Sequence, residues 1–501
     1  MNSNSEHIGK AANSLGENFL KSVLSFPSHN ALFIHSKYYT YKQLFELVIG
    51  IYNEIPTDKL YEKIGVYCSD TVYDYACILA VNLYGAAYVP LNTKFPLEKN
   101  KSRIERSHLS LVLASIENKD TLLIAENVNV VQVNPDPVSG IITVFPIDGY
   151  QKISQPIAYV LFTSGSTGEA KGVPVSFENC FHFFEFFFKN YTFSSEDKFL
   201  QTYELTFDVS VFSFFMPLQA GACCYVVSNK GIKYLKMVQM LIDHSITVVS
   251  MVPSTLWYLK KYFNEINLPD LKYSFFSGDV LNHSIACEWK KCLPNGAIHN
   301  FYGPTETTIV CTRYVWEEKQ SRQESMYDVV PLGKAFPGIE FIIVDELNTP
   351  TNEGELCFSG KQVIKQYLNN SNPNQFIVIA GKHYYKTGDR AFVNAEGNLI
   401  FKGRIDNQVK INGYRIELGE IEFQLEKISS SKCLVNAHKN KENLNELVAF
   451  VSSNKFSAKE LKQLLSFILP EYMIPSKFIM VKSLPLTMNG KVDKTTLLTL
   501  V

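Results

Sequence analysis

The sequence predicts an α/β fold in more than one domain: a large N-terminal domain of α/β subdomains with a small β-barrel, then a small α+β C-terminal domain. Three observations predict it. The chain has 501 residues, more than one hydrophobic core is expected to hold. Its first hundred residues alternate strand-like and helix-like apolar patterns, the mark of mostly parallel strands joined by helices. A polar, glycine-bearing stretch at 403–417 separates two apolar-patterned regions and reads as a linker, giving domains 1–405 and 406–501.

Taken in order, residues 14–30 give a weak helix and Ala31 to Ile34 a strand. Thr40 is placed to cap a helix carrying Leu44, Phe45, Val48 and Ile49 at helical spacing. Ile64 to Cys68 reads as a strand, Tyr75 to Tyr84 as an apolar helix stopped at Gly85, and Ala86 to Leu91 as the next strand. Ile157 to Phe162 is an apolar run read as a buried strand, and Gly172 to Val175 as a second strand, with Ser176 as the N-cap of a helix. Ile246 to Pro253 and Tyr273 to Ser277 are further buried strands. Pro331 to Lys334 and Gly354 to Gly360 look like hairpin edges of the small barrel. Past the linker, Ile421, Leu425 and Ile428 are helically spaced, Leu447 to Val451 is a strand, and Leu461 to Leu469 a helix.

Composition narrows the function classes. Net charge is −1, so no nucleic-acid or anionic-membrane surface is expected. Ten cysteines are scattered without a C-x-x-C pair, which argues against zinc or a disulfide framework and for reduced thiols in the cytoplasm. Met1 to Lys10 has no apolar core, so no signal peptide is visible. The aromatic run Phe181 to Phe188 is too short to span a bilayer. No membrane insertion is expected, and a monomer is.

The densest candidate for chemistry is Thr163-Ser164-Gly165-Ser166-Thr167-Gly168-Glu169-Ala170-Lys171-Gly172. Its glycines let backbone N–H groups turn to one point, its hydroxyls add donors, and Lys171 adds a mobile cation. That inventory suits a polyphosphate. It is not a Walker A loop, because Gly172 stands where Ser or Thr would follow the lysine and a strand follows in place of a helix.

Further candidates lie downstream. Asp208, in Thr206-Phe207-Asp208-Val209-Ser210, is a carboxylate in apolar company, costly to bury unpaired. It caps a helix, lies at the surface, or serves a ligand. Asn300-Phe301-Tyr302-Gly303-Pro304-Thr305-Glu306 offers a flat ring, a hydroxyl and a hard carboxylate oxygen suited to Mg²⁺. Asp389, beside a Gly turn, can accept both hydroxyls of a ribose. Lys491 sits between Gly490 and a polar turn.

These stretches, in this order, resemble the adenylate-forming superfamily of acyl-CoA synthetases and amino-acid adenylation domains, over nearly the whole chain. The resemblance implies ATP and Mg²⁺. Residues 163–171 would hold the β- and γ-phosphates, with Thr163 also in the catalytic set. Asn300, Tyr302 (stacked on adenine), Gly303 and Thr305 (on the α-phosphate) would bind nucleotide, and Glu306 the metal. Asp389 and Arg404 would hold ribose, Asp406 would be the hinge of the small domain, and Gly413 would line the pantetheine path. Lys491 would bridge carboxylate and phosphate oxygens, stabilising charge as it develops.

In amino-acid adenylation domains an Asp at the position of Asp208 binds the substrate's amino group. The pocket carried over by position is Asp208, Val209, Phe212, Ser250, Phe275, Ser277, Gly278, Phe301, Ile309 and Val310. Three phenylalanines there leave room for a short side chain such as that of alanine, glycine or serine, by steric exclusion. Phe177 stands where the family often has a histidine, and His182 is given no role. The chain stops at Val501 without a carrier segment, so the resemblance implies a small amino acid and a phosphopantetheinylated carrier protein supplied in trans, as in D-alanine:D-alanyl carrier protein ligases. An acyl-CoA ligase is the alternative, and Asp208 speaks against it. A catalytically dead nucleotide-binding regulator would be expected to lack Lys491 or Glu306.

Overall fold

A computed structural model describes residues 15–115, 128–133, 157–164, 170–228, 231–406, 408–442, 444–453, 455–485 and 492–501. The apolar runs read from the sequence become the centres of two mostly parallel sheets. One has six strands in the order Asn129–Val133, Leu111–Ser115, Lys63–Cys68, Ala87–Asn92, Ile157–Thr163 and Lys171–Ser176. All neighbours are parallel except the last pair, which is antiparallel with Thr163 opposite Lys171. The phosphate-loop candidate therefore joins strand to strand, as the Gly172–Val175 pattern predicts.

The second sheet has nine strands. Lys198–Gln201, Val248–Met251, Tyr273–Phe276 and Ala297–Tyr302 form its parallel centre. Loops that matter chemically leave the carboxyl ends of these strands, as parallel α/β sheets favour. Between the sheets lies the largest core, which includes the fully buried Phe183, Phe187, Phe199 and Phe214.

Capping residues set the helix starts. Thr40 accepts from Gln43 N–H, and Gln43 returns a bond to Thr40 N–H, a complete capping box before Tyr41–Glu54. Ser176 and Asn179 do the same for Phe177–Asn190. Gly85 ends the helix Val72–Tyr84 at φ 89°, a conformation that suits glycine.

Two expectations change. Strands Ile339–Val344, Glu353–Gly360, Phe376–Ile379, Lys382–Val393 and Leu399–Arg404 make an antiparallel five-stranded sheet whose described pairings do not close into a barrel. Lys334–Ala335 belongs instead to the edge of the nine-stranded sheet, because its partner is Thr312–Trp316.

The stretch read as a linker contains a two-stranded hairpin, Gln408–Ile411 and Tyr414–Glu417. Its turn residues Asn412 and Gly413 have φ of 52° and 82°, the mirror-image turn that Asn-Gly favours. After it come the helix Leu418–Ser429 and a three-stranded sheet, sharing a separate core around Ile421, Leu425, Val435, Ala449 and Leu465. All ten cysteines are free, and no described helix is long and apolar enough to cross a membrane.

Asp74 shows how a loop end is held. Its Oδ2 accepts the backbone N–H groups of Ser69, Asp70 and Thr71 at 2.8, 2.6 and 3.0 Å, and the residue is 2% exposed. Asp74→Ala strands three donors at once. Urea unfolding is expected to show a loss of about 3 kcal/mol; an unchanged midpoint would mean that the donors find other partners.

Candidate active site

One cavity of about 370 Å³ opens where the two sheets, the five-stranded sheet and the 408–417 hairpin meet. That is ample for a small metabolite. It is walled by Thr163 and Ser164, by Asp208 and Val209, by Ser277 and Gly278, by Gly303, Thr305 and Ile309, and by Asp389, Arg404 and Gly413. Candidates more than two hundred residues apart are thus brought to one space.

Asp208 sits in the N-cap position of Val209–Ala220, yet its side chain makes no capping bond. Of the readings open from sequence, the structure leaves the carboxylate facing the cavity. Burial pushes its pKa up to about 6, against the opposing pull of the Thr305 hydroxyl and the Val209 N–H. Tyr203 lines the same wall, and its hydroxyl has no hydrogen-bond partner among the described residues.

Phe212, Ser250, Phe275, Phe301 and Val310 do not line this cavity. The three phenylalanines are turned into an aromatic cluster with Phe187 and Tyr191: Phe187 to Phe212 at 4.6 Å, Tyr191 to Phe275 at 5.0 Å and Phe187 to Phe301 at 5.3 Å between centroids. The cluster forms a plug behind Val209 and Ile309. Val209 and Ile309, which line the cavity beside Asp208, belong to the same core as these rings.

Asp389 accepts from the Tyr302 hydroxyl at 2.5 Å and from Arg404 Nη1 at 2.9 Å. Arg404 also grips both oxygens of Asp406. Gly388 permits this crowding: at φ 72°, an added Cβ would lie 2.5 Å from Arg404 Nη2. Asn300, Phe301, Tyr302 and Gly303 line a small side pocket of about 30 Å³ with Gly278, Asp279 and Lys410. The Lys410 ammonium stands 5.5 Å over the Tyr302 ring. Asn300 Nδ2 is already donated to Pro331 O at 2.9 Å.

Glu306 is fully buried and does not line the main cavity. Its Oε1 accepts from the Tyr367 hydroxyl at 2.6 Å, and its Oε2 from Arg415 Nη1 at 3.2 Å. Burial opposes its charge, but Arg415 and Tyr367 outweigh it and hold the pKa low. Burial likewise opposes the Arg415 charge and is outweighed by Glu306, Tyr385 and Tyr367. A magnesium ion at this carboxylate would meet the guanidinium at close range. In this arrangement the residues around Glu306 fit a cation already supplied by the chain and do not fit a metal, and no group of three potential ligands occurs among the described residues.

Lys171 is buried, and burial leads in lowering its pKa. Ser164 Oγ donates to Arg415 O at 2.8 Å, tying the end of the phosphate-loop strand to the hairpin. Gly413 presses on Val252, where an added Cβ would lie 2.4 Å from Cγ1. Gly165, Ser166, Thr167, Gly168 and Lys491 lie outside the described residues.

Sequence reasoning missed Arg415, Tyr367, Lys410 and Tyr203. Asn412-Gly413 between alternating residues carried the hairpin signal that would have placed Lys410 and Arg415 on opposed strands. Nothing local marks Tyr367 or Tyr203.

The chain belongs to the AMP-binding enzyme family, which it matches over residues 19–368. It is 32% identical over 449 residues to zwittermicin A synthase ZmaJ of Bacillus cereus, covering 86% of this chain and 84% of that protein. It is 33% identical over 422 residues to a D-alanine–D-alanyl carrier protein ligase of Staphylococcus epidermidis, covering 82% and 84%. Other relatives are far longer synthases, of which this chain spans 7% to 39%. In fold it superposes on the Vibrio cholerae adenylation domain AlmE with a TM-score of 0.84 at 24% identity, over 98% of each chain. The protein is thus an adenylate-forming, AMP-producing ligase by family.

The raised pKa of Asp208 fixes the sign of a stability effect. A carboxyl raised from 3.8 to about 6 on folding contributes most below pH 4, and that contribution is lost as pH rises through 6. Asp208→Asn removes the loss. At pH 7.5 the variant is expected to be more stable than wild type by up to about 3 kcal/mol, and the gain should vanish near pH 4. Equal thermal stability of the two proteins across that range would show the carboxylate to be well solvated.

Proposed function

We propose that this protein activates a small amino acid as its aminoacyl-adenylate and passes it to the phosphopantetheine thiol of a carrier protein. The observation that carries the reading is Asp208, a carboxylate with no capping bond, lining a cavity whose Val209 and Ile309 wall is backed by an aromatic core. An ammonium group is the partner such a carboxylate lacks, and an aromatic core behind Val209 and Ile309 would favour a side chain no larger than a hydrogen, a methyl or a hydroxymethyl group. The likeness to a D-alanine–D-alanyl carrier protein ligase at 33% identity supports the same reading.

In the first half-reaction a carboxylate oxygen attacks the α-phosphorus of ATP, the bond to the β-phosphate oxygen breaks, and pyrophosphate leaves. The protein's task is to position and to neutralise charge. Asp208 would hold the ammonium, Thr305 would face the α-phosphate, and Thr163, Ser164 and Lys171 would meet the outer phosphates. Asp389 and Arg404 would hold the ribose, with Asp389 exchanging its bond from Tyr302 for one from a ribose hydroxyl. Lys491 would bridge the reacting oxygens. In the second half-reaction a thiolate sulfur attacks the acyl carbon, a thioester forms, and AMP leaves with the electron pair of the broken acyl–oxygen bond.

The two half-reactions need different surroundings, and the proposed domains 1–405 and 406–501 would supply them by rotation at Asp406. In the arrangement described, the hairpin with Lys410, Gly413 and Arg415 walls the cavity. Arg415 then occupies the Glu306 carboxylate, so rotation of the hairpin would free that carboxylate.

Pyrophosphate exchange into ATP tests this. Glycine, L-alanine, D-alanine or serine is expected to drive exchange at least tenfold faster than leucine or phenylalanine, and Asp208→Ala is expected to abolish it. Exchange driven equally by acetate or propionate, with amino acids silent, would leave an acyl-CoA ligase as the better reading.

A further inference from the structure

Arg103 lies on the helix Leu97–Ser107 and is only 7% exposed. Its guanidinium is packed 4.6 Å from the centre of the Phe95 ring and 5.7 Å from that of Phe162. Both rings line the main cavity, and so does Arg103. Among the described residues its Nε has no hydrogen-bond partner, and the group forms no ion pair. Two carboxylates favour its charge from a distance, Glu420 and Glu204. Neither pairs with the guanidinium: Glu420 meets Lys99 through Oε1 while its Oε2 has no hydrogen-bond partner among the described residues, and Glu204 accepts from Asn92 Nδ2 at 2.8 Å.

A buried, unpaired arginine is costly, and methionine would fill the same aromatic slot without that cost. An anion entering the cavity would remove the penalty. Its place is set by the course of the chain. Phe162, on which the guanidinium packs, leads directly into Thr163 and Ser164, which line the same cavity at the start of the loop whose donors suit a polyphosphate. Lys171 is paired with Thr163 across the strand pair, so a second cation stands at the end of the same two strands. Arginine's planar fork matches two phosphate oxygens at once.

We propose that Arg103 binds the pyrophosphate end of the nucleotide, holding the β- and γ-phosphates of ATP and the pyrophosphate that departs. The proposal rests on the adenylation reading. It assigns Arg103 to the outer phosphates alone, away from the ribose held by Asp389 and Arg404.

The test compares the full chain as wild type, Arg103→Met and Arg103→Lys. Binding of AMP and of inorganic pyrophosphate is measured by calorimetry, and the pyrophosphate dependence of exchange by kinetics. Arg103→Met is expected to lose at least tenfold in pyrophosphate affinity, with AMP affinity unchanged and Arg103→Lys intermediate. AMP binding with pyrophosphate affinity untouched by either variant overturns this proposal alone. Wild-type protein that binds neither ligand overturns the adenylation reading with it. If Arg103→Met fails to fold, the same split in Arg103→Lys decides. Exchange driven by aspartate or glutamate and lost in the variants would make Arg103 a reader of substrate side chains and also overturn it.

Discussion

The arrangement depends on one electrostatic imbalance. Asp208 is carried into an apolar wall by the start of Val209–Ala220, and among the described residues no ion-pair partner comes with it. The surrounding core is aromatic and dense, so the carboxylate has nowhere to turn but the cavity. The same core closes the space behind it. In the proposed reading, recognition of a positive group and exclusion of bulk would both arise from one piece of packing: rings from the helix Phe177–Asn190 meet rings from the strands Tyr273–Phe276 and Ala297–Tyr302.

Around this fixed end, the cavity's other walls are held by exchangeable polar contacts. Arg415 on Glu306 and Ser164 on the Arg415 carbonyl tie the hairpin to the two large sheets, and Arg404 holds Asp389 of the five-stranded sheet together with Asp406. Breaking a buried pair of this kind is costly unless each partner finds another. A substrate with phosphates and ribose hydroxyls offers such partners. The proposed rotation at Asp406 would exchange these contacts and leave the aromatic core unchanged.

Much of the fold was legible because strong apolar periodicity and punctuation agreed. Ile157–Thr163 and Lys171–Ser176 were readable as strands on either side of a loop, and Thr40, Ser176 and Gly85 as helix ends. The roles of Phe212, Phe275 and Phe301 were not. The resemblance places them at the proposed substrate end, but which face of each strand or helix meets the cavity depends on Phe187 and Tyr191, distant in the chain. The Glu306–Arg415 pair spans 109 positions and left no local trace. The hairpin at 408–417 did leave one, Asn412-Gly413, which glycine and polarity alone disguised as a linker. Lys334–Ala335 joined the large sheet because its partner strand, Thr312–Trp316, lay across an intervening helix.

The central claim is that Asp208 meets the substrate's ammonium group. A carboxyl with a pKa near 6 is about half protonated at pH 6 and must ionise when a cation binds it. Calorimetric binding of the cognate amino acid, in buffers of different ionisation enthalpy, counts the protons released. About half a proton should leave at pH 6 and almost none at pH 8, with no release in Asp208→Asn. Binding that releases no proton at either pH would contradict the claim.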